Sequence, residues 1–238
     1  MPDLDRSDLD RSDLDRSELV RRFKSVAGPL PGMDRRVPLD VEVIEEVDRG
    51  THRQCLINYS AEPGGRTPAY LLLPRIATAE RPRPGVLALH PTEHRIGHRV
   101  TVEPVGARNR DYGRQLAEAG FVVLAPAYPL LADHQPDLTA LGYVSGTMKA
   151  IWDNIRGLDL LAGLPEVAGE GFGAVGHSLG GHNAIFTAVF EPRIRVVFSS
   201  CGFDSFADYM GGDLSGWRQQ RYLPRLAGLD RPPFDFDQ

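Results

Sequence analysis

Ser178 stands between Gly176 and Gly180 in the stretch AVGHSLGGHNAIF, residues 174–186. The spacing G-x-S-x-G can present a serine hydroxyl as a nucleophile toward a carbonyl carbon, leaving an acyl group on the serine oxygen. The pattern has this meaning only between a strand and a helix. There the chain turns so sharply that the serine is strained, and side chains at the flanking positions would collide. That context is present: FGAVGHS is an apolar β-type run, and NAIFTAVF is helical and apolar nearly all round. Gly176 and Gly180 are therefore expected to be turn glycines. The N–H of Leu179, at the helix start, is expected to face the negative charge that develops on the carbonyl oxygen. A second donor should come from the loop that begins LHPTEHRIGH. Pro91 has no N–H, so the N–H of Thr92 is the candidate.

Such a serine needs a histidine base and a carboxylate to orient it. The residues after Ser178 hold a single histidine, His182. It falls in the first turn of the helix, and the serine oxygen should point away from that helix. A structural, hydrogen-bonded ring is the expectation there. His177 lies inside the turn and should point elsewhere. Asp204 and Asp208 follow the run IRVVFSSC, where Asp204 could orient a histidine if one were near. His182 and Asp204 are secondary candidates for base and acid.

His90, His94 and His98 are four residues apart, which on a helix would form one zinc-binding face. Pro91 and Gly97 argue for a loop instead. These histidines, with Arg95 and Arg99, are expected to line the mouth of the pocket. Either arginine could meet an anionic substrate or lie in solvent. No metal and no cofactor is expected.

The elements that must position these groups are legible. DVEVIEEV, QCLINYSA and AYLLLPRI read as three short strands, an antiparallel entry to a sheet. GVLALH (85–90) and FVVLAPAY (121–128) are continuous apolar runs, as strands buried on both faces require. ARNRDYGRQLAEAG (107–120) predicts a helix ending at Gly120. Met148, Ile151, Trp152, Ile155 and Leu158 keep helical spacing over about 146–163. FGAVGHS and IRVVFSSC (194–201) complete an α/β pattern: a mostly parallel sheet with helices on both faces.

The order of VLALHPTEHRIG, YGRQLAEAGFVVLAPAYP and GFGAVGHSLGGHNAIF resembles the α/β-hydrolase superfamily, in particular its dienelactone-hydrolase-related and acetyl-esterase-like branch. The likeness covers about residues 39–205. It implies an α/β-hydrolase fold in which the acid usually follows a seventh strand and the histidine an eighth. Dienelactone hydrolases use cysteine as nucleophile; Ser178 favours ordinary ester chemistry. The sequence after IRVVFSSC contains no further buried strand. The expectation is therefore an incomplete domain with the last strands missing, its acid and base absent, and an open sheet edge prone to aggregation.

The chain has 238 residues, 42% hydrophobic and 25% charged, enough for one sizeable α/β domain. Residues 1–38 read as a tail and linker apart from that domain, which spans 39–238. The fivefold spacing of Leu4, Leu9, Leu14 and Leu19 lines no helix face, so the tail is expected to be disordered. A net charge of -5 suggests neither nucleic acid nor an anionic membrane as partner. The only cysteines, Cys55 and Cys201, make no disulfide framework. No apolar run reaches membrane-spanning length and no signal peptide is visible, so the cytoplasm is the default. The expected function is a serine hydrolase of small carboxylic esters, impaired by the missing relay. The alternative is a non-catalytic fragment or binding protein on the same fold. A peptidase is a third reading, but the length leaves no room for an extra substrate domain. The sequence leaves the oligomeric state open.

Overall fold

The apolar runs become strands whose alternate residues serve two separate cores. In β4 (Arg83–Leu89), Leu87 and Leu89 face one core and Ala88 the other. In β5 (Val122–Pro126), Val122 and Leu124 face the first, Val123 and Ala125 the second. Such two-sided burial is why residues 85–89 of β4 and all of β5 carry no polar side chain. The computed structural model describes residues 16–236.

Among the described residues, seven strands form one sheet in the order β1-β2-β3-β5-β4-β6-β7. β1 (Glu42–Asp48), β2 (His52–Glu62) and β3 (Gly65–Pro74) make an antiparallel meander, and β3 pairs antiparallel with β5. β5, β4, β6 (Val167–His177) and β7 (Ile194–Ser200) are parallel. The expected parallel character thus holds for one half of the sheet, and the antiparallel entry for the other.

The helix after β4 is α2 (Tyr112–Glu118), shorter than the 107–120 expected. Asn109, with φ at 59°, breaks the helical path just before it. α3 (Gly146–Ala162) starts where Ser145 caps it, its Oγ accepting from Met148 N–H. α4 (Leu179–Phe190) follows β6. α2 packs on one face of the sheet, α3 and α4 on the other. The β4–α2–β5 connection runs one way along the sheet and the β5–α3–β6 connection the other. The chain therefore opens a crevice at the C-terminal ends of β4 and β6, where strand order reverses.

The expectation of a disordered stretch over 1–38 is corrected for its second part. Residues Arg16–Ala27 form α1, and Phe23, Val26 and Ala27 are buried. The fivefold leucine spacing gives way after Leu19 to Phe23, Val26 and Ala27, which do share a helix face. The Phe23 ring meets Phe186 at 4.8 Å and Phe234 at 5.0 Å. Farther on, Arg36 pairs with Asp159 of α3 at 2.9 Å. The DLDRS repeats before Arg16 lie outside the described residues.

Among the described residues, the segment after β7 contains no strand, yet it is packed on the domain. Phe206, Trp217, Leu223, Leu226 and Phe234 are buried, and with α1 they cover α4. The opposite face of β6 and β7 is uncovered among the described residues. Val196 and Phe198 are 67% and 64% exposed there, beside an apolar hollow of about 820 Å³. Among the described residues no helix is long and apolar enough to cross a membrane.

Candidate active site

Ser178 sits between the end of β6 and the start of α4 with φ 53° and ψ −118°, outside every region that L-residues favour. Such backbone costs about 1–3 kcal/mol and persists only where its surroundings impose it. Here they do. Ser178 N–H donates to Ser200 O at 2.7 Å, tying the turn to β7. A Cβ on Gly176 would fall 2.1 Å from the carbonyl carbon of Gly180, and one on Gly180 would fall 1.8 Å from Leu89 O. The turn is thus pressed against the end of β4, and both glycines are required by close approach.

Gly180→Ala has no flexible neighbour to displace, only backbone. We expect it to cost at least the upper end of the roughly 1–3 kcal/mol typical of overpacking. Urea unfolding would read this as a lower midpoint. An unchanged midpoint would mean that the turn is looser than described.

Ser178 opens on a cavity of about 260 Å³, which Leu179 and Thr92 also line. The structure thus brings together the serine and both residues assigned as oxyanion donors. Leu179 N–H is one of the first amides of α4, which have no acceptor within the helix. Thr92 is exposed, and its Oγ1 lies 2.9 Å from Tyr222 OH. His90 anchors this loop. Its Nε2 accepts from Tyr128 N–H at 2.9 Å, so the ring proton is on Nδ1 and is donated to Pro91 O at 2.8 Å.

The three loop histidines do not act as a group. His90 is buried, His98 is half-buried against Tyr70, and only His94 lines the cavity. Neither Arg95 nor Arg99 lines it, and Arg99 is paired with Glu103 at 2.6 Å. The expected pocket mouth is corrected accordingly: this short loop turns alternate histidines into the core. Among the described residues no group of three His, Cys, Asp or Glu is arranged to hold a metal ion.

All seven histidines of the sequence lie within the described residues. Three are near Ser178, and none hydrogen-bonds its Oγ. The His177 ring nitrogen Nδ1 lies 3.1 Å from Ser200 Oγ. His182 lines the cavity, but its ring is caged by Trp217 at 4.6 Å, Phe236 at 5.2 Å and Phe186 at 6.3 Å. Its role is aromatic packing, not the hydrogen bonding expected. His94 Nδ1 faces the guanidinium of Arg221 at 3.2 Å. Asp204 and Asp208 are exposed on the loop after β7, and neither carboxylate meets a histidine.

Burial holds several rings neutral. It pushes His90 and His182 down to about 4, and His134, with the Lys149 charge adding to burial, to about 3. Between the ordinary histidine value near 6.5 and about pH 4, the unfolded chain takes up protons that the folded chain refuses. Stability is therefore full above about pH 6.5 and falls as pH falls through that window. A tenfold difference in proton affinity between the folded and unfolded chain is worth about 1.4 kcal/mol, so the three rings together cost several kcal/mol. Thermal midpoints measured from neutral pH down to about 4.5 should drop, and His182→Phe should shallow the slope. A flat profile would contradict the burial of these rings.

Sequence reasoning missed the remaining wall of the cavity. Trp217, Gln219, Arg221 and Tyr222 come from the segment after β7, which shows neither helical nor strand period. Tyr128 OH donates to Arg221 O at 2.8 Å, and Gly146 N–H to Gln220 O at 2.8 Å. The available signal was the aromatic content of a segment without periodicity, since loops held on a rigid frame often carry binding groups.

No protein-family model matches the chain. A curated Bacillus subtilis protein named "Putative hydrolase YtaP" is 27% identical over 187 residues, 73% of this chain and 60% of that protein. The chain thus spans about 60% of the length of this relative. Among solved structures, a glucuronoyl esterase from Solibacter usitatus superposes with a TM-score of 0.64 at 16% identity, over 92% of this chain and 69% of that one. Acetyl xylan esterase 1 from Thermoanaerobacterium gives 0.54 at 18% identity, over 91% and 68%. With the strand order reversing at β4 and the strained serine between β6 and α4, these likenesses establish that the chain has the α/β-hydrolase fold.

Proposed function

We propose that the chain is a serine hydrolase of small carboxylic esters. Ser178 Oγ attacks the ester carbonyl carbon, and the carbonyl electrons move onto oxygen. Leu179 N–H and Thr92 N–H hold that oxyanion. The C–O bond to the alcohol breaks, the alcohol leaves with a proton, and water hydrolyses the acyl-serine. The serine proton passes to water in the cavity, because no histidine is placed to receive it. The observation that carries this reading is the backbone of Ser178, strained and facing a cavity. Strain of this kind is kept where it positions a reacting group. The esterase names of the solved neighbours point to the same chemistry. A fluorophosphonate probe should label the wild-type chain at Ser178, slowly, and leave Ser178→Ala unlabelled.

A second reading is a non-catalytic binding protein on the same fold. It is favoured by the lack of a histidine partner for Ser178 among the described residues. Ligand binding with no labelling over long exposure would select it.

A further inference from the structure

Among the residues lining the cavity at Ser178, Arg221 alone carries a fixed charge, and no aspartate or glutamate lines it. Its guanidinium pairs with no carboxylate among the described residues. It lies 5.9 Å from the centre of the Tyr222 ring and donates from Nη1 to His94 Nδ1 at 3.2 Å. Because that nitrogen accepts, the His94 proton sits on Nε2, so the histidine also offers a donor. Arg221 is fixed through its backbone by Tyr128 OH, and its neighbour Tyr222 through Thr92 Oγ1. The remaining guanidinium N–H groups are left for a ligand.

We propose that this cavity takes a small ester bearing a carboxylate, with the carboxylate held by Arg221 and by His94 Nε2–H. The proposal rests on the reading of Ser178 as the reacting residue only for where the ester carbonyl lies; the anion site stands on the charge itself. A guanidinium forms paired, charge-assisted bonds to a carboxylate and gains nothing comparable from a neutral amide. At about 260 Å³ the cavity is below the roughly 300–1,000 Å³ of drug-sized pockets, so the ligand is small.

Calorimetry with two non-hydrolysable probes tests this: para-acetamidobenzoate and its neutral counterpart para-acetamidobenzamide. The carboxylate should bind about tenfold more tightly. Arg221→Gln should abolish the preference, and Arg221→Lys, which keeps the charge, should retain part of it. Raising salt from about 50 mM to about 500 mM should shrink it. Equal affinity for both probes, binding of neither, or a preference that survives Arg221→Gln overturns the proposal. Hydrolysis of para-acetoxybenzoate and para-acetoxybenzamide is followed separately. Equal cleavage of both leaves the esterase reading standing and sinks the anion site. A binding preference without cleavage does the reverse.

Discussion

Hydrolysis of a short-chain aryl ester by this chain should run about 10³–10⁴-fold above water, the level left to binding and oxyanion stabilisation when a triad is broken. Ser178→Ala should then remove the acyl-serine route and leave direct attack by water on the bound ester, a loss of no more than about tenfold, whereas loss of the serine from an intact triad costs on the order of 10⁶. The reason lies in the histidines. His182 is caged by aromatic rings that hold it uncharged. His94 turns its Nδ1 toward the Arg221 guanidinium, so that nitrogen is already engaged and is not placed on the serine hydroxyl. Steady-state rates of wild type and Ser178→Ala decide the matter. Turnover typical of an intact esterase, abolished by the substitution, would mean that a base acts within these residues, with His94 and His182 the first to replace.

The second large effect is expected far from the serine. Lys149 is fully buried and pairs with Asp153 on its own helix and with Glu62 of β2 at 3.3 Å. Glu62 also accepts from Tyr143 OH at 3.0 Å and pairs with Arg35. Burial pushes the Asp153 carboxyl up, while the Lys149 charge pulls it down. Lys149→Met would leave two buried carboxylates facing the more exposed Arg35 alone. Breaking such a network costs about 3–5 kcal/mol, since the orphaned charge keeps its desolvation penalty. Denaturant unfolding of Lys149→Met should show that loss. Adding Asp153→Asn should recover a substantial part of it, because one uncompensated charge is then gone. A loss below about 1 kcal/mol would mean that water already reaches these groups. The network matters for the site because it anchors the first turns of α3. The start of that helix holds Gln220 through Gly146 N–H, and Thr147 Oγ1 lies 3.0 Å from Tyr128 OH, the group that holds Arg221.

Local physics made much of this molecule legible in one dimension. Seven strands, α3 and α4 could be placed because apolar runs and periodicity reflect which faces are buried. The tight turn at Ser178 could be placed because only glycine tolerates the close approach at positions 176 and 180. Leu179, expected from the helix start, and Thr92, expected because Pro91 has no N–H, line the same cavity as the serine. Tertiary structure decided the rest, since it depends on partners distant in sequence. α1 is a helix because Phe23 finds Phe186 and Phe234, more than 160 residues away. His90 and His98 turn inward while His94 faces the cavity, a choice made by Tyr128 and Arg221 rather than by spacing. Lys149, one of only two lysines, reveals nothing in the sequence of its burial between two carboxylates. The cavity wall of Trp217, Arg221 and Tyr222 follows no period, because it is held by single hydrogen bonds and ring contacts rather than by a repeating backbone ladder.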